Sequence, residues 1–206
     1  MESEAPLMID LCCGRGGWTT GFIAEGYVVM GVDKEEQPSY PGSFLRADVR
    51  DLVEFLSTVH GTPWLMTFKS AAVIMASPPC EEFSRHGMPW TKKWNPKEPD
   101  TSIAGACFNI ARLAGRPIVL ENVRAAQKWL GKAEGNSGPF YLWGDVPVPV
   151  PDFARILKKD VSHRQPALRA VIPLELAKYM ARHFKRRLAQ ERRGLDGCDV
   201  LRSIVG

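Results

Sequence analysis

Cys80 follows an apolar run, Ala71–Ala76, that is cut off at Pro78-Pro79. Two prolines fix φ and remove two amide donors, so a strand cannot continue through them. The thiol is thereby expected at the carboxyl end of a strand, on a stiff turn, where a nucleophile is well held. Acids recur in the same relative position. Asp10 closes the run 7–11, Asp33 closes 27–32, Glu121 closes 117–120, and Asp48 follows the less regular segment 43–47. In an open α/β sheet the carboxyl ends of the strands line one crevice. Four acids and a thiol, far apart in sequence, are therefore expected to converge. Taken singly, Asp33 and Asp48 read equally well as helix caps and Glu121 as an ion-pair partner.

The first strand end carries a glycine-rich loop, Asp10-Leu-Cys-Cys-Gly-Arg-Gly-Gly-Trp-Thr-Thr-Gly-Phe22. Gly14, Gly16 and Gly17 would let backbone approach a ligand closely, and the helix that follows favours an anionic group at its N-terminus. The spacing is not the dinucleotide fingerprint, because Thr19 holds the third glycine position, and no Gly-Lys-Ser/Thr follows to make a nucleotide-triphosphate loop. A tight turn with no ligand is the other reading. Asp33, about twenty residues on, suits the two hydroxyls of a ribose. Asp48 suits an amino group on an adjoining adenine, or the cap of the helix behind it.

The elements that must hold these residues alternate. Helices are expected over 19–26, over 49–60 (Leu52, Phe55, Leu56 and Val59 at helical spacing), and after Asp100 or Thr101 as N-cap, with Ile103, Cys107, Ile110 and Ala114 on one face. Another begins at Pro173 and runs over 174–190, with a stripe of Leu176, Ala177, Met180, Phe184 and Leu188. Strand–helix alternation predicts an α/β fold with a mostly parallel sheet covered on both faces. Two segments break the rhythm. Residues 84–99 read as a long polar loop. Residues 124–161, with Gly131, Gly135, Gly138, Pro139, Pro147, Pro149 and Pro151, read as an irregular insertion too short for a second domain. Residues 194–206 read as a disordered tail, or as one docking through Val200, Leu201, Ile204 and Val205.

The composition agrees with one domain over residues 1–206, at 45% hydrophobic and 24% charged. No apolar run approaches the ~20 residues of a membrane span, and the first residues lack the basic start of a secretory signal, so a cytoplasmic protein is expected. Five cysteines without a Cys-x-x-Cys pair suit a reducing compartment. His86 and His163 have no metal-ligand spacing, and no metal is expected. The net charge of +4 is mild, but basic residues cluster at Lys92–Lys93, Arg124–Lys128–Lys132, Lys158–Lys159, Arg164–Arg169 and Arg182–Arg193. Such clusters either track phosphates or form solvated surface.

Three motifs in order resemble the DNA cytosine-5 methyltransferases, which use S-adenosylmethionine (SAM). Asp10–Phe22 is similar to their SAM-binding loop, Ser77-Pro-Pro-Cys80 with Phe83-Ser84 to their catalytic loop, and Glu121-Asn122-Val123 to their second catalytic motif. Residues 170–177, Ala-Val-Ile-Pro-Leu-Glu-Leu-Ala, are weakly similar to the final helix. The stretches 37–41 and 140–144 resemble the compact, phage-encoded members. The resemblance implies a Rossmann-like class I SAM-dependent methyltransferase, probing duplex DNA with a flipped cytosine, and a monomer. It makes Cys80 the nucleophile toward cytosine C6 and Glu121 the acid at N3, with Arg164 in support. The implied cofactor residues are Asp10, Cys12, Gly14, Gly16, Gly17, Trp18, Asp33, Lys34, Asp48, Val49 and Pro78. The implied DNA contacts are Ser84, Arg85, Trp90, Lys92, Lys93, Asn122 and Arg124. Trp90 and Trp94 could instead pin their loop to the body.

The sequence departs from that family in three places. Ala76-Ser77 replace the usual Gly-Gly before Pro-Pro-Cys, and Glu81 replaces the Gln after it. No clear Gln-x-Arg-x-Arg element is present, Arg164, Gln165 and Arg169 being the nearest. Residues 124–161 stand where a large target-recognition domain would be, which implies short or relaxed sequence specificity. C5 methylation of RNA or of a free cytosine nucleotide, and a silent SAM- or DNA-binding homologue, are the alternatives.

Overall fold

Strands form where apolar residues run with little interruption. β1 (Leu7–Leu11), β4 (Ala71–Ala76) and β5 (Ile118–Asn122) occupy the middle of a seven-stranded sheet. Strands covered on both faces read as continuous rather than alternating apolar runs, and all six residues of β4 are buried. β2 (Val28–Asp33) and β3 (Ser43–Arg46) extend one side. A hairpin of β6 (Gly135–Ser137) and β7 (Phe140–Gly144) extends the other. This computed structural model describes residues 4–81, 83–84, 98–153 and 171–205, with side chains as far as 191 and at 193.

The strand order is β3-β2-β1-β4-β5-β7-β6. β1 to β5 are mutually parallel, and β7 runs antiparallel to both β5 and β6. The chain winds outward from β1 to β3, then returns to lay β4 on the other side of β1. The fold is therefore the expected Rossmann-like α/β sheet, with a topological switch point between β1 and β4.

Side-chain alternation sends the two halves of each strand to different cores. Ile9, Leu11, Ile74, Ala76, Ile118 and Leu120 pack with α2 (Val49–Leu56), α3 (Thr62–Ser70) and α4 (Ser102–Ala114). Met8, Val73, Met75, Val119 and Leu142 pack with α1 (Gly17–Ala24) and α6 (Leu174–Val205) through Trp18, Phe22, Leu176, Met180 and Phe184. α1 and α6 cross so closely that a Cβ on Gly21 would lie 2.3 Å from that of Ala177.

Several boundaries differ from expectation. The second helix stops at Leu56 instead of reaching His60, because the chain folds back to place Gly61 against it, and a Cβ there would meet the Phe55 carbonyl at 2.0 Å. α3 was not anticipated: Thr62–Ser70 buries only Phe68, so its apolar periodicity is faint. The segment read as an irregular insertion holds a 3-10 turn at Arg124–Ala126, α5 (Gln127–Leu130), and the β6–β7 hairpin, which completes the sheet. β6 is only Gly-Asn-Ser, with no strand former to announce it, and the turn is made by Gly138 at φ 58°. The backbone of α6 continues helical to Val205, past Gly194 and Gly197. Among the described residues no helix is long and apolar enough to cross a membrane.

Candidate active site

Strand register brings the expected site residues to one edge. Leu11 pairs with Val32 and with Ala76, and Ala76 pairs with Leu120. One step beyond that row stand Asp33, Ser77 and Glu121. Alternation puts Asp10 and Glu121 on the face of α1 and α6, in line with Met8 and Val119, and Ser77 continues the series Val73, Met75. Trp18 of α1 is buried on this face, and its indole N–H donates to Ser77 Oγ at 3.0 Å. The Ser77 hydroxyl, at the end of the adjacent strand, favours the ionised form of the Glu121 carboxyl. Protein atoms crowd Glu121 although its residue keeps some contact with solvent. Burial pushes its carboxyl up to about 8, against the smaller opposing effect of Ser77, so the acid carries its proton at neutral pH.

The Pro-Pro-Cys turn is stapled to β5. Asn122 donates from Nδ2 to the Pro78 carbonyl at 2.9 Å, and its Oδ1 accepts the Val123 N–H at 2.9 Å. At 1% exposure Asn122 is a buried support. The expectation that it contacts nucleic acid is corrected: both ends of its amide are used inside the protein. Cys80 opens a helical turn in which the Ser84 N–H donates to its carbonyl at 2.9 Å. Burial pushes the half-buried Cys80 thiol up, the Ser84 hydroxyl opposes that rise, and the charges of Glu121 and Glu81 add to it. Ser84, expected at DNA, stands one helical turn from Cys80. Phe83 beside it is buried, with its ring 5.9 Å from that of Trp129, whose indole N–H donates to Glu98 at 2.5 Å.

A cleft of about 600 Å³, counting its open mouth, adjoins this turn. Cys12, Asp33, Lys34, Ala47, Asp48, Val49, Ser77, Pro79 and Ile103 line it. Asp33 Oδ2 accepts the Gly14 N–H at 2.9 Å and Oδ1 the Glu35 N–H at 3.0 Å, so each oxygen keeps acceptor capacity for a hydroxyl. Asp48 is the N-cap of α2. Its Oδ1 accepts from Arg50 N at 2.9 Å and Nε at 3.0 Å, and its Oδ2 accepts from the second Arg50 guanidinium nitrogen at 2.6 Å. Those bonds hold Asp48 down to about 2. The cap reading holds for Asp48, and a position on the cleft wall holds with it.

The glycine loop shapes the cleft from behind. Cys12, Gly14 and Gly16 have φ of 53°, 48° and 80°, which make the tight turn. A Cβ on Gly17 would meet Ile172 at 3.1 Å. Asp10, expected to hold a cofactor, is instead sealed below the loop. Tyr40 donates to Thr19 at 2.5 Å, and Thr19 donates to Asp10 Oδ2 at 2.7 Å. Burial raises Asp10 to about 7, and its Oδ1 has no protein partner. Tyr40 reaches it by lying over Gly31, where a Cβ would stand 2.3 Å from its ring. Among the described residues the cleft wall thus omits Asp10, Gly14, Gly16, Gly17 and Trp18, and takes Pro79 in place of Pro78, whose carbonyl serves Asn122. Arg124 is exposed at the start of the 3-10 turn. Arg85, Trp90, Lys92, Lys93, Trp94, Arg164, Gln165 and Arg169 lie outside the described residues.

Sequence reasoning missed Ser77, Ala47, Pro79 and Ile103 in the cleft, and Thr19 and Tyr40 beneath it. Ser77 and Pro79 were inside a motif already singled out, and the strand alternation through Val73 and Met75 carried the signal for Ser77. Tyr40 offered none, since its contact crosses from a loop to the strand behind it. Among the described residues no three His, Cys, Asp or Glu side chains group as metal ligands.

No family model matches the sequence, and no curated protein matches it. Among solved structures the chain superposes on a candidate DNA modification methyltransferase encoded within an Escherichia coli prophage, at TM-score 0.43 and 17% identity over 61% of this chain and 34% of that one. It superposes on a Spodoptera frugiperda DNMT2 mutant at TM-score 0.38 and 18% identity, over 60% and 37% of the two chains. It also superposes on MoeE5 in complex with UDP-glucose and NAD, at TM-score 0.38 and 14% identity over 87% and 49%. The chain spans about a third of the length of the first two and about half of the third. These likenesses concern the sheet-and-helix framework and carry nothing about activity.

Proposed function

We propose that the chain is a SAM-dependent DNA cytosine-5 methyltransferase working through a covalent bond from Cys80 to cytosine C6. One observation carries this reading: the paired strands β4 and β5 bring Glu121 to the end of the sheet beside Ser77, just before the Cys80 thiol, next to a cleft lined by Asp33 and Asp48, and burial pushes the Glu121 carboxyl up to about 8. Cytosine C5 is a weak nucleophile, and thiolate addition at C6 makes it an enamine-like carbon. Addition needs a proton at N3, which a neutral Glu121 supplies and an ionised one does not. A neutral Glu121 also leaves the neighbouring thiolate unrepelled, while Ser84 donates to it. After methyl transfer a base, with water as the candidate, takes the C5 proton; the C5–H pair becomes the C5=C6 bond, the Cys80–C6 bond breaks with its electron pair going to sulfur, and N3 returns its proton to Glu121.

SAM would supply the electrophilic methyl group, and the cleft fits its adenosine. Asp33 has acceptor capacity for two vicinal hydroxyls. Ala47, Val49, Pro79 and Ile103 give an apolar slot for a flat base. Asp48 Oδ2 accepts one bond and has room for an amino group. The cytosine must be flipped from the duplex to reach Cys80. Sequence reading is expected to be short, about two or three bases, or relaxed, because residues 124–161 are too few for elaborate major-groove reading; a mapped six-base site would overturn that part.

The test is radiolabelled methyl transfer to duplex DNA, transfer RNA and dCMP in parallel, with base-resolution mapping of 5-methylcytosine. Transfer to DNA, and a covalent adduct with 5-fluorocytosine-containing DNA that Cys80→Ser abolishes, are expected. Preferential transfer to RNA or dCMP would reassign the substrate. Full activity in Cys80→Ser would remove the nucleophile assignment.

A further inference from the structure

We propose that Ser77 is a positioning residue for Glu121: fixed as a hydrogen-bond donor by the Trp18 indole, its hydroxyl engages one oxygen of the Glu121 carboxyl and leaves the acid proton on the other. Three observations on different elements meet here. The pairing of Ala76 with Leu120 sets Ser77 and Glu121 side by side at the ends of adjacent strands. Trp18, on α1, is 1% exposed and reaches Ser77 Oγ at 3.0 Å. Ser77 is also bound through its backbone N–H to the Leu11 carbonyl at 3.0 Å and is followed by two prolines, so it has little freedom to turn away.

The direction of the bonds follows from the donor inventory. An indole N–H only donates. Ser77 Oγ must therefore accept from Trp18, and its single hydrogen is left for Glu121. In a protonated carboxyl the carbonyl oxygen is the better acceptor, so a fixed donor at one oxygen selects that one as the carbonyl. The hydroxyl of the acid is then the other oxygen. Ser77 also lines the cofactor cleft, so the link joins the cleft wall to the acid. A glycine at this position would leave the carboxyl free to exchange its two oxygens.

The catalytic consequence rests on the proposed function, whereas the placement of the proton does not, and two readouts separate them. The first is infrared titration of the Glu121 carboxyl, with its band identified by subtraction of Glu121→Gln. Ser77→Ala removes a donor that favours the ionised acid, so proton affinity at Glu121 should rise about tenfold, one pH unit in midpoint. The carbonyl band should also move to higher frequency, and Ser77→Thr, which keeps a hydroxyl, should restore both. The second readout is the pH profile of methyl transfer. In Ser77→Ala the alkaline limb should move up by the same amount, with kcat lowered and KM for DNA unchanged. An unmoved Glu121 titration in folded Ser77→Ala overturns the proposal even if the parent methylates DNA. A moved titration in a protein that transfers no methyl group upholds Ser77 and overturns the proposed function.

Discussion

Glu121→Gln should make the protein more stable at alkaline pH, and the size of the effect follows from the acid's environment. An ordinary glutamate titrates near 4.5, whereas burial lifts Glu121 to about 8. The folded state therefore holds a proton that the unfolded state has released. Stability from this proton is fully present below the unfolded value and is lost as pH rises toward the folded one. One proton of difference is worth about 1.4 kcal/mol per pH unit. Between pH 6 and 8 the loss would be about 2 kcal/mol, since the folded acid begins to ionise near the upper end. Residual solvent contact and local relaxation reduce this to about 1 kcal/mol. Asp10, raised to about 7, has the same sign but is present in both proteins and cancels in the difference. Urea unfolding followed by tryptophan fluorescence at half-unit pH steps would measure it. The parent's curve should fall relative to that of Glu121→Gln from pH 6 to 8 and then run parallel above the folded value. Parallel curves across the whole range would mean that Glu121 is ionised in the folded protein, which would remove the acid from the proposed mechanism.

Gly21→Ala should cost about 2–3 kcal/mol in thermal unfolding, because its Cβ would stand 2.3 Å from that of Ala177 and 2.9 Å from backbone, while Gly105→Ala, with open space around it on the solvent side of α4, should gain roughly 0.5–1 kcal/mol. Asn122→Ala should cost about 1–3 kcal/mol by freeing the Pro78 carbonyl, and should speed reaction of Cys80 with a disulfide reagent as the turn loosens. Asp33→Asn should weaken binding of S-adenosylhomocysteine by about tenfold or more in calorimetry, through loss of an anionic acceptor for the ribose hydroxyls.

The parts of the fold legible in the sequence are those whose cause is local. β4 reads as a strand because it is apolar throughout and ends at two prolines, and α4 reads as a helix because Cys107, Ile110 and Ala114 repeat on one face. The strand ends, and hence Cys80, Asp33 and Glu121, follow from those elements. What stayed hidden depends on contacts between distant segments. The β6–β7 hairpin is a strand pair only because β5 offers it an edge, and Gly135–Ser137 has no strand propensity of its own. Asn122 sits in a motif whose resemblance pointed it toward DNA, but its burial against Pro78 is visible only once β4 and β5 are paired. Asp10 misled for a related reason. A carboxylate at the end of a first strand suggests a ligand, yet Thr19 of α1 and Tyr40 close over it, the latter from a loop that the sequence gives no reason to place there.

The thiol and the acid constrain each other. Raising the pH converts Cys80 toward thiolate, but above about 8 it also ionises Glu121, whose charge pushes the thiol up further. Free protein therefore has no pH at which thiolate and protonated acid are both abundant. Under the proposed function, a cytosine seated between them would relieve the conflict, because its ring would exclude water from Glu121 and favour the neutral acid, while attack at C6 would consume thiolate as it forms. The environment that makes each group reluctant to ionise on its own would thus, on the proposed function, be the one that substrate completes. The Ser77 and Ser84 hydroxyls, one at each group, are the contacts that limit how far burial raises them.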